Sequence, residues 1–376
     1  MKQVILPLFL AVLAGAGVAS AAEPALGVLV GTYTDGDSRG IYRLRFDEET
    51  GRLDGLGLAA ETASPSFLAV DPQGRFLFAV NENDKVAPGS GGVSSFAIEA
   101  KTGALRFLSQ QPSGGAWPCH LVLDQTGRYL FVANYGGSAT LLPVSAEGQL
   151  SPVVARVDPK GQGPHARQKG SHAHGVYLDA TNRRLFVPDL GLDQVLVYAF
   201  DAAAAKLTPE TPPFAAVAPG AGPRHLAWSP DFRFLHAVNE LDSTVTTFAW
   251  DPAAGLEPRG VVKTLPDDFR GESYTAEIAV HPNGRFAYVS NRGHDSLAVF
   301  AVDSSSGALR RTAVVPVGGK KPRHFAISPS GRFLLAAHQE SNTISVFRLD
   351  PSTGSLTAVG SPVSVPRPVC ILFLPR

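Results

Sequence analysis

The sequence predicts an all-β fold, a seven-bladed β-propeller in which one blade is closed by strands from both ends of the chain. Three observations carry this. A segment of about fifty residues recurs six times, each copy reads as four short strands, and the two ends supply the complementary parts of a seventh copy.

The chain begins with a segment that stands apart. Met1-Lys2 is a short basic start, residues 4–18 are an apolar run, and Ala19-Ser20-Ala21 is a small-residue cleavage site. This pattern predicts a secretory signal peptide over residues 1–22, leaving residues 23–376 as one propeller domain. The apolar run contains Pro7, Gly15 and Gly17 and is too short for a good membrane anchor. The expected location is therefore periplasmic or secreted, without membrane attachment after cleavage.

The mature N-terminus reads LGVLVGTYT, GIYRLRFDEETG and LDGLGLAAE, which are second, third and fourth strands without a first. A first strand and turn then recur as SFLAVDPQGRF (from Ser66), CHLVLDQTGRY (from Cys119) and HGVYLDATNRR (from His174). They return as RHLAWSPDFRF (from Arg224), AEIAVHPNGRF (from Ala276) and RHFAISPSGRF (from Arg323). Each is followed by a second run: LFAVNE, LFVANY, LFVPDL, LHAVNE, AYVSNR and LLAAHQ. Short β-rich runs separated by Pro, Asp and Gly signals form antiparallel meanders. The final RPVCILFLPR is a first strand with nothing after it, so joining it to the N-terminal strands closes the ring and leaves no open edge. A sandwich or a solenoid does not account for termini that complement each other. Pro188 falls inside a second-strand run, where a ladder hydrogen bond is lost, and predicts a strand end or bulge. Two connections, residues 154–171 and 263–275, are longer than the others and should overhang the face that carries Arg224 and Glu240.

Composition narrows the function. Lys+Arg and Asp+Glu both number 33, so the net charge is zero and a nucleic-acid partner is not expected. Gly (38) and Pro (30) suit a turn-rich β chain. The two cysteines, Cys119 and Cys370, fall in non-adjacent blades and are expected to stay unpaired. No apolar surface stripe calls for an oligomer, and a monomer is expected.

Aligning the repeats places Ser66, Cys119, His174, Arg224, Ala276, Arg323 and Val369 at the start of the first strands. The next position holds Phe67, His120, Gly175, His225, Glu277, His324 and Cys370. The second strands end at Glu82, Tyr135, Leu190, Glu240, Arg292, Gln339 and Thr32. An antiparallel hairpin brings the start of one strand beside the end of the next, so these sets meet at one mouth of the central channel. Asn81, Asn134, Asn239 and Asn291 recur at one blade position and read as strand-end caps. His120 and His324 read as hydrogen-bonding partners of neighbouring blade backbone. Arg224, Arg292 and Arg323 suit a carboxylate or phosphate, because guanidinium forks bind such anions at two points. His174 and Glu240 are the candidate proton carriers. His174, Glu240, Arg224 and Arg292 form the candidate catalytic set, with Arg323, His225, His172, Gln339, Tyr135 and Glu82 as candidate substrate-binding residues. His172 and His174 form an HxH pair, but no third carboxylate ligand is fixed by spacing, so neither metal nor other cofactor is expected. No GxSxG elbow is present, which removes the usual serine-nucleophile route.

Several motifs together carry a resemblance across essentially the whole mature chain. GTYT (residues 31–34), GQGPHARQ…SHAHG, GPRHLAWSP, AVNEL, TLPDDFRGE…AEIAVHPNGRFAYVSNRG and PRHFAISPSGRF resemble the seven-bladed propeller lactonases. That group includes a bacterial 6-phosphogluconolactonase and the fungal carboxy-cis,cis-muconate cyclase. The resemblance implies an active site of one His, two Arg and one Glu, which fall on His174 in SHAHG, Arg224 in GPRH, Arg292 in SNRG and Glu240 in AVNEL. It implies a lactone hydrolase acting on a small anionic lactone. A cycloisomerase of the carboxymuconate type, or a propeller that only binds a ligand at the same rim, is the alternative. An unphosphorylated sugar lactone or another acidic lactone suits an exported protein better than a cytoplasmic sugar phosphate.

Overall fold

The computed structural model describes residues 25–99 and 102–375, so the predicted signal segment lies outside the described residues. Seven four-stranded antiparallel sheets are formed, as the repeat predicts. In the closing blade, C-terminal Pro368–Phe373 is the innermost strand and pairs with Leu26–Thr32, which continues into Gly40–Phe46 and Leu53–Glu61. The register sets Leu29 opposite Leu372 and Gly31 opposite Cys370. The other six blades follow one another along the chain, each running from its innermost to its outermost strand.

Local chemistry explains why the first hairpin recurs. In DPQGRF, the Asp71 carboxylate accepts hydrogen bonds from the Arg75 and Phe76 amides at 2.6 and 2.7 Å. Asp124 and Asp179 repeat this on their own blades, and the Ser229 and Ser328 hydroxyls accept the corresponding amide at 3.0 and 3.2 Å. The turn needs one left-handed residue, filled by Gly74, Gly127, Gly284 and Gly331, by Asn182, and by the bulkier Phe232.

Burial follows the strand period. The middle strands are buried almost throughout, while the outermost strands are exposed along most of their length. Apolar side chains from adjacent sheets interlock: Phe186, Val195 and Val197 of one blade pack with Leu226, Leu235 and Phe248 of the next. The predicted caps behave as expected. Asn239 Nδ2, for example, donates to Thr244 and Thr246 at 2.8 and 3.0 Å. Both cysteines are buried and free.

Pro188 does not end its own strand, which runs Arg184–Asp189; the interruption falls on its neighbour, whose inner strand is only Tyr177–Leu178. A proline has no N–H to offer inward, so the ladder stops after Tyr177 pairs with Phe186, and the His174 amide reaches the Pro188 carbonyl at 3.0 Å.

The closing strand buries Val369, Cys370 and Ile371. Each such side chain contributes roughly 1.5–3 kcal/mol against a typical total stability of about 5–15 kcal/mol. Truncation before residue 366 is therefore expected to abolish the cooperative thermal transition followed by circular dichroism. A truncated chain that melts like the full one would show that the ring does not depend on this closure.

Candidate active site

Proline sets where the rim side chains leave the sheets. Innermost strands begin at Pro118, Pro223 and Pro322, and in each the ladder skips the following residue: Cys119, Arg224 and Arg323. In the closing blade the skipped residue is Val369, after Pro368. A bulge of this kind re-aims a side chain away from the ladder. Arg224 thereby reaches Glu240, sixteen residues on but at the same end of the hairpin.

Glu240 is the hub. Its Oε2 accepts from Arg224 Nε at 2.9 Å and Arg292 Nη2 at 2.7 Å, and its Oε1 pairs with Arg167 Nη1 at 2.7 Å. Arg224 is anchored further by Nη1 to the Ala276 carbonyl (2.8 Å), and Arg292 by Nη2 to the Thr275 carbonyl (2.9 Å). Burial acts to raise the Glu240 carboxyl, but the Arg292, Arg224 and Arg167 guanidiniums outweigh it and hold it well below the usual carboxylate range. Burial pushes Arg292 down to about 10.

A second ionic group completes the rim. Arg323 lies over the Tyr33 ring at 5.2 Å and 3.8 Å from Glu82 Oε2, while the Tyr33 hydroxyl donates to Glu82 at 2.9 Å. Four guanidiniums thus face two carboxylates, a positive surplus suited to an anion. Tyr135 stacks on His172 at 4.5 Å, accepts from Arg167 Nη2 through its hydroxyl at 3.2 Å, and offers its carbonyl to His172 Nδ1 at 2.8 Å. The Gln339 amide bonds the Lys321 carbonyl, and its side chain makes no hydrogen bond among the described residues.

Beneath the rim lies a buried polar layer. Arg224 Nη1 can only donate, so His225 Nε2 accepts from it at 3.1 Å and His225 Nδ1 donates to Glu277 Oε2 at 3.0 Å. Both His225 nitrogens are taken, which makes it a support under Arg224 rather than a side chain facing the opening. His120 and His324 accept the Val176 and Ile371 amides of the neighbouring blades at 3.3 and 3.2 Å, the structural role expected of them.

His174 differs. Its Nδ1 lies 3.7 Å from the Cys119 sulfur, and its Nε2 has no hydrogen-bond partner among the described residues. Burial, and then the positive Arg224, keep it well below the ordinary histidine value and therefore neutral. Among the described residues, no group of three or more His, Cys, Asp or Glu is placed to hold a metal ion.

Comparisons with known proteins identify the family. Residues 27–373 match the family described as Lactonase, 7-bladed beta-propeller. The chain belongs to the seven-bladed β-propeller lactonase family. It is 37% identical over 348 residues to the 6-phosphogluconolactonase of Bacillus subtilis, covering 92% of this chain and 97% of that protein. A 6-phosphogluconolactonase of Formosa agariphila is 32% identical over 309 residues, covering 79% of this chain and 85% of that protein. The structure of the periplasmic gluconolactonase of Pseudomonas aeruginosa superposes with a TM-score of 0.88 at 38% identity, covering 93% of this chain and 99% of that chain.

Sequence reading missed two rim residues of this family member. The repeat alignment put Thr32 in the rim position with Glu82 and Glu240, but Thr32, the last residue of its strand, bonds Gly40 inside the blade. Tyr33 takes the rim position, its amide on the Arg367 carbonyl just as the Glu82 amide bonds Ser64. Aligning Thr32 with the capping Asn81 would have found it. Arg167 comes from the first long loop, whose overhang was expected, and it lies in the GQGPHARQ motif of that loop.

The buried histidines make stability depend on pH. His120, His174 and His225 are held well below 6.5, mainly by burial, so below that pH the unfolded chain binds protons that the fold does not. Stability is then lost as pH falls through this window. Glu240 acts in the same direction only below its ordinary 4.5. The melting temperature is expected to fall steadily from pH 6.5 to 5; a flat profile over that interval would contradict the neutral, buried state of these rings.

Proposed function

We propose that the protein, as a lactonase, hydrolyses a sugar lactone or another acidic lactone at this rim. The observation that carries the reading is a neutral His174 with a free Nε2 beside arginines that Glu240 holds in place. The substrate's anionic group and its lactone carbonyl are held by guanidinium N–H groups. His174 Nε2 takes a proton from water, its own proton resting on Nδ1 toward Cys119. The resulting hydroxide adds to the carbonyl carbon, and charge building on the carbonyl oxygen is met by Arg224 and Arg292. As the carbonyl re-forms, the ring C–O bond breaks, and the leaving alkoxide takes the proton from His174. The product is a hydroxy acid, which releases one proton to solvent as its carboxylate.

In this scheme Glu240 holds the arginines and carries no proton, because each of its oxygens already faces a guanidinium and its carboxyl stays ionised. We also propose a periplasmic location. The signal-like residues 1–22 support it, and so does the likeness to a relative described as periplasmic. Small-molecule lactones are the only partners this reading requires.

His174→Ala is expected to lower kcat by roughly 100-fold or more while changing KM little, measured by acid release in a pH-stat. An unchanged kcat would remove His174 from the chemistry, and ring closure in place of ring opening among the products would identify a cycloisomerase. In the wild-type protein the acid limb of kcat/KM should lie below pH 6.5, since the active form is the unprotonated His174. Glu240→Gln should impair kcat and KM together, by releasing three arginines at once. An effect confined to kcat would instead make Glu240 a proton carrier.

A further inference from the structure

The three guanidiniums on Glu240 are not equivalent. Arg224 and Arg292 are 2% and 14% exposed and each has a backbone carbonyl anchor as well. The Arg167 side chain is 39% exposed, and among the described residues its guanidinium meets, beyond Glu240, only the Tyr135 hydroxyl at 3.2 Å and the Tyr274 ring at 5.6 Å. The remaining guanidinium N–H groups have no partner among the described residues, while the main-chain amide donates to His165 Nδ1 at 3.2 Å.

The main chain behind Arg167 is nevertheless fixed by its neighbour. Gln168 is wholly buried, with Nε2 donating to the Leu190 carbonyl (2.8 Å) and Asp193 Oδ1 (2.6 Å), and Oε1 accepting the His165 amide (2.9 Å). The Gln168 amide donates to the His165 carbonyl, and the Gly163 amide to the Gln168 carbonyl. The loop is thus pinned at Gln168 while the residue before it reaches over the mouth. Only a side chain has to move.

We propose that Arg167 is the arm that binds the anionic group, a carboxylate or phosphate, of the lactone substrate. It leaves Glu240 for that group as substrate enters, and so sets the preference for charged over neutral lactones. Glu240 then retains Arg224 and Arg292, the two guanidiniums nearest the buried layer, and stays paired. The incoming anion offers the guanidinium fork two oxygens, where Glu240 offers it one, Oε1. This proposal rests on the lactonase reading above.

The test is the ratio of kcat/KM for a charged lactone to that for a neutral one, in the wild type and in Arg167→Gln and Arg167→Lys. Glucono-δ-lactone is the neutral probe, its 6-phosphate the phosphate probe and glucaro-1,4-lactone the carboxylate probe. The ratio is expected to fall roughly 10- to 100-fold in Arg167→Gln, mostly through KM, and by less in Arg167→Lys, which keeps the charge without the fork. Whichever anionic probe shows the larger fall identifies the anion. Equal losses on charged and neutral substrates, or none, would overturn the proposal and leave Arg167 a structural pair for Glu240. Should the wild type hydrolyse no lactone, the lactonase reading fails separately, and calorimetric binding of gluconate 6-phosphate against gluconate then decides. A phosphate preference that Arg167→Gln abolishes supports the arm, and an unaltered preference rejects it.

Discussion

Three arginines pointing at one buried spot repel each other, and in a water-poor site that repulsion is strong. Glu240 makes the arrangement possible. Its two oxygens gather Arg224, Arg292 and Arg167 from two blades and a loop, and much of the geometry at the mouth depends on this carboxylate staying ionised. The same pairing explains why it is a poor proton carrier. A group held ionised by surrounding positive charge has little basicity left, whereas His174, kept neutral by burial and by Arg224, retains a free nitrogen.

The propeller supplies what such a cluster requires. A ring closed through Pro368–Phe373 resists the outward push of like charges, because no blade moves without separating its packed neighbours. Proline at the start of the inner strands converts a regular ladder into one with a side chain released toward the rim. The buried layer of His225, Glu277 and His324 then braces Arg224 from below, with each ring tautomer fixed by a partner that can only donate. In the proposed reading, specificity falls to the more exposed positions, such as the loop residue Arg167.

Much of this was legible in the chain. Alternating apolar runs, turn signals and complementary ends state the blade count directly, because strand period and turn chemistry are local. Arg224 and Glu240 were placed together by hairpin reasoning alone, and their 2.9 Å contact bears that out. The error at Thr32 came from the one blade assembled from distant segments. There the alignment lacked a continuous repeat to anchor it, so the rim residue Tyr33 was read one position early. Pro188 was recognised as an irregularity, but its effect appears on the strand beside it, since a missing N–H is felt by the partner that would have accepted it.

The sequence by itself determined the fold, the ring closure and which residue types line the rim, since these follow from periodicity and spacing along the chain. Only the tertiary structure decided how those side chains pair with one another. Whether a carboxylate carries protons or pairs arginines, and whether a histidine supports a neighbour or faces the opening, depends on distances of a few ångströms between blades. Those distances are set by how seven sheets pack around a common axis, and no spacing within one blade encodes them.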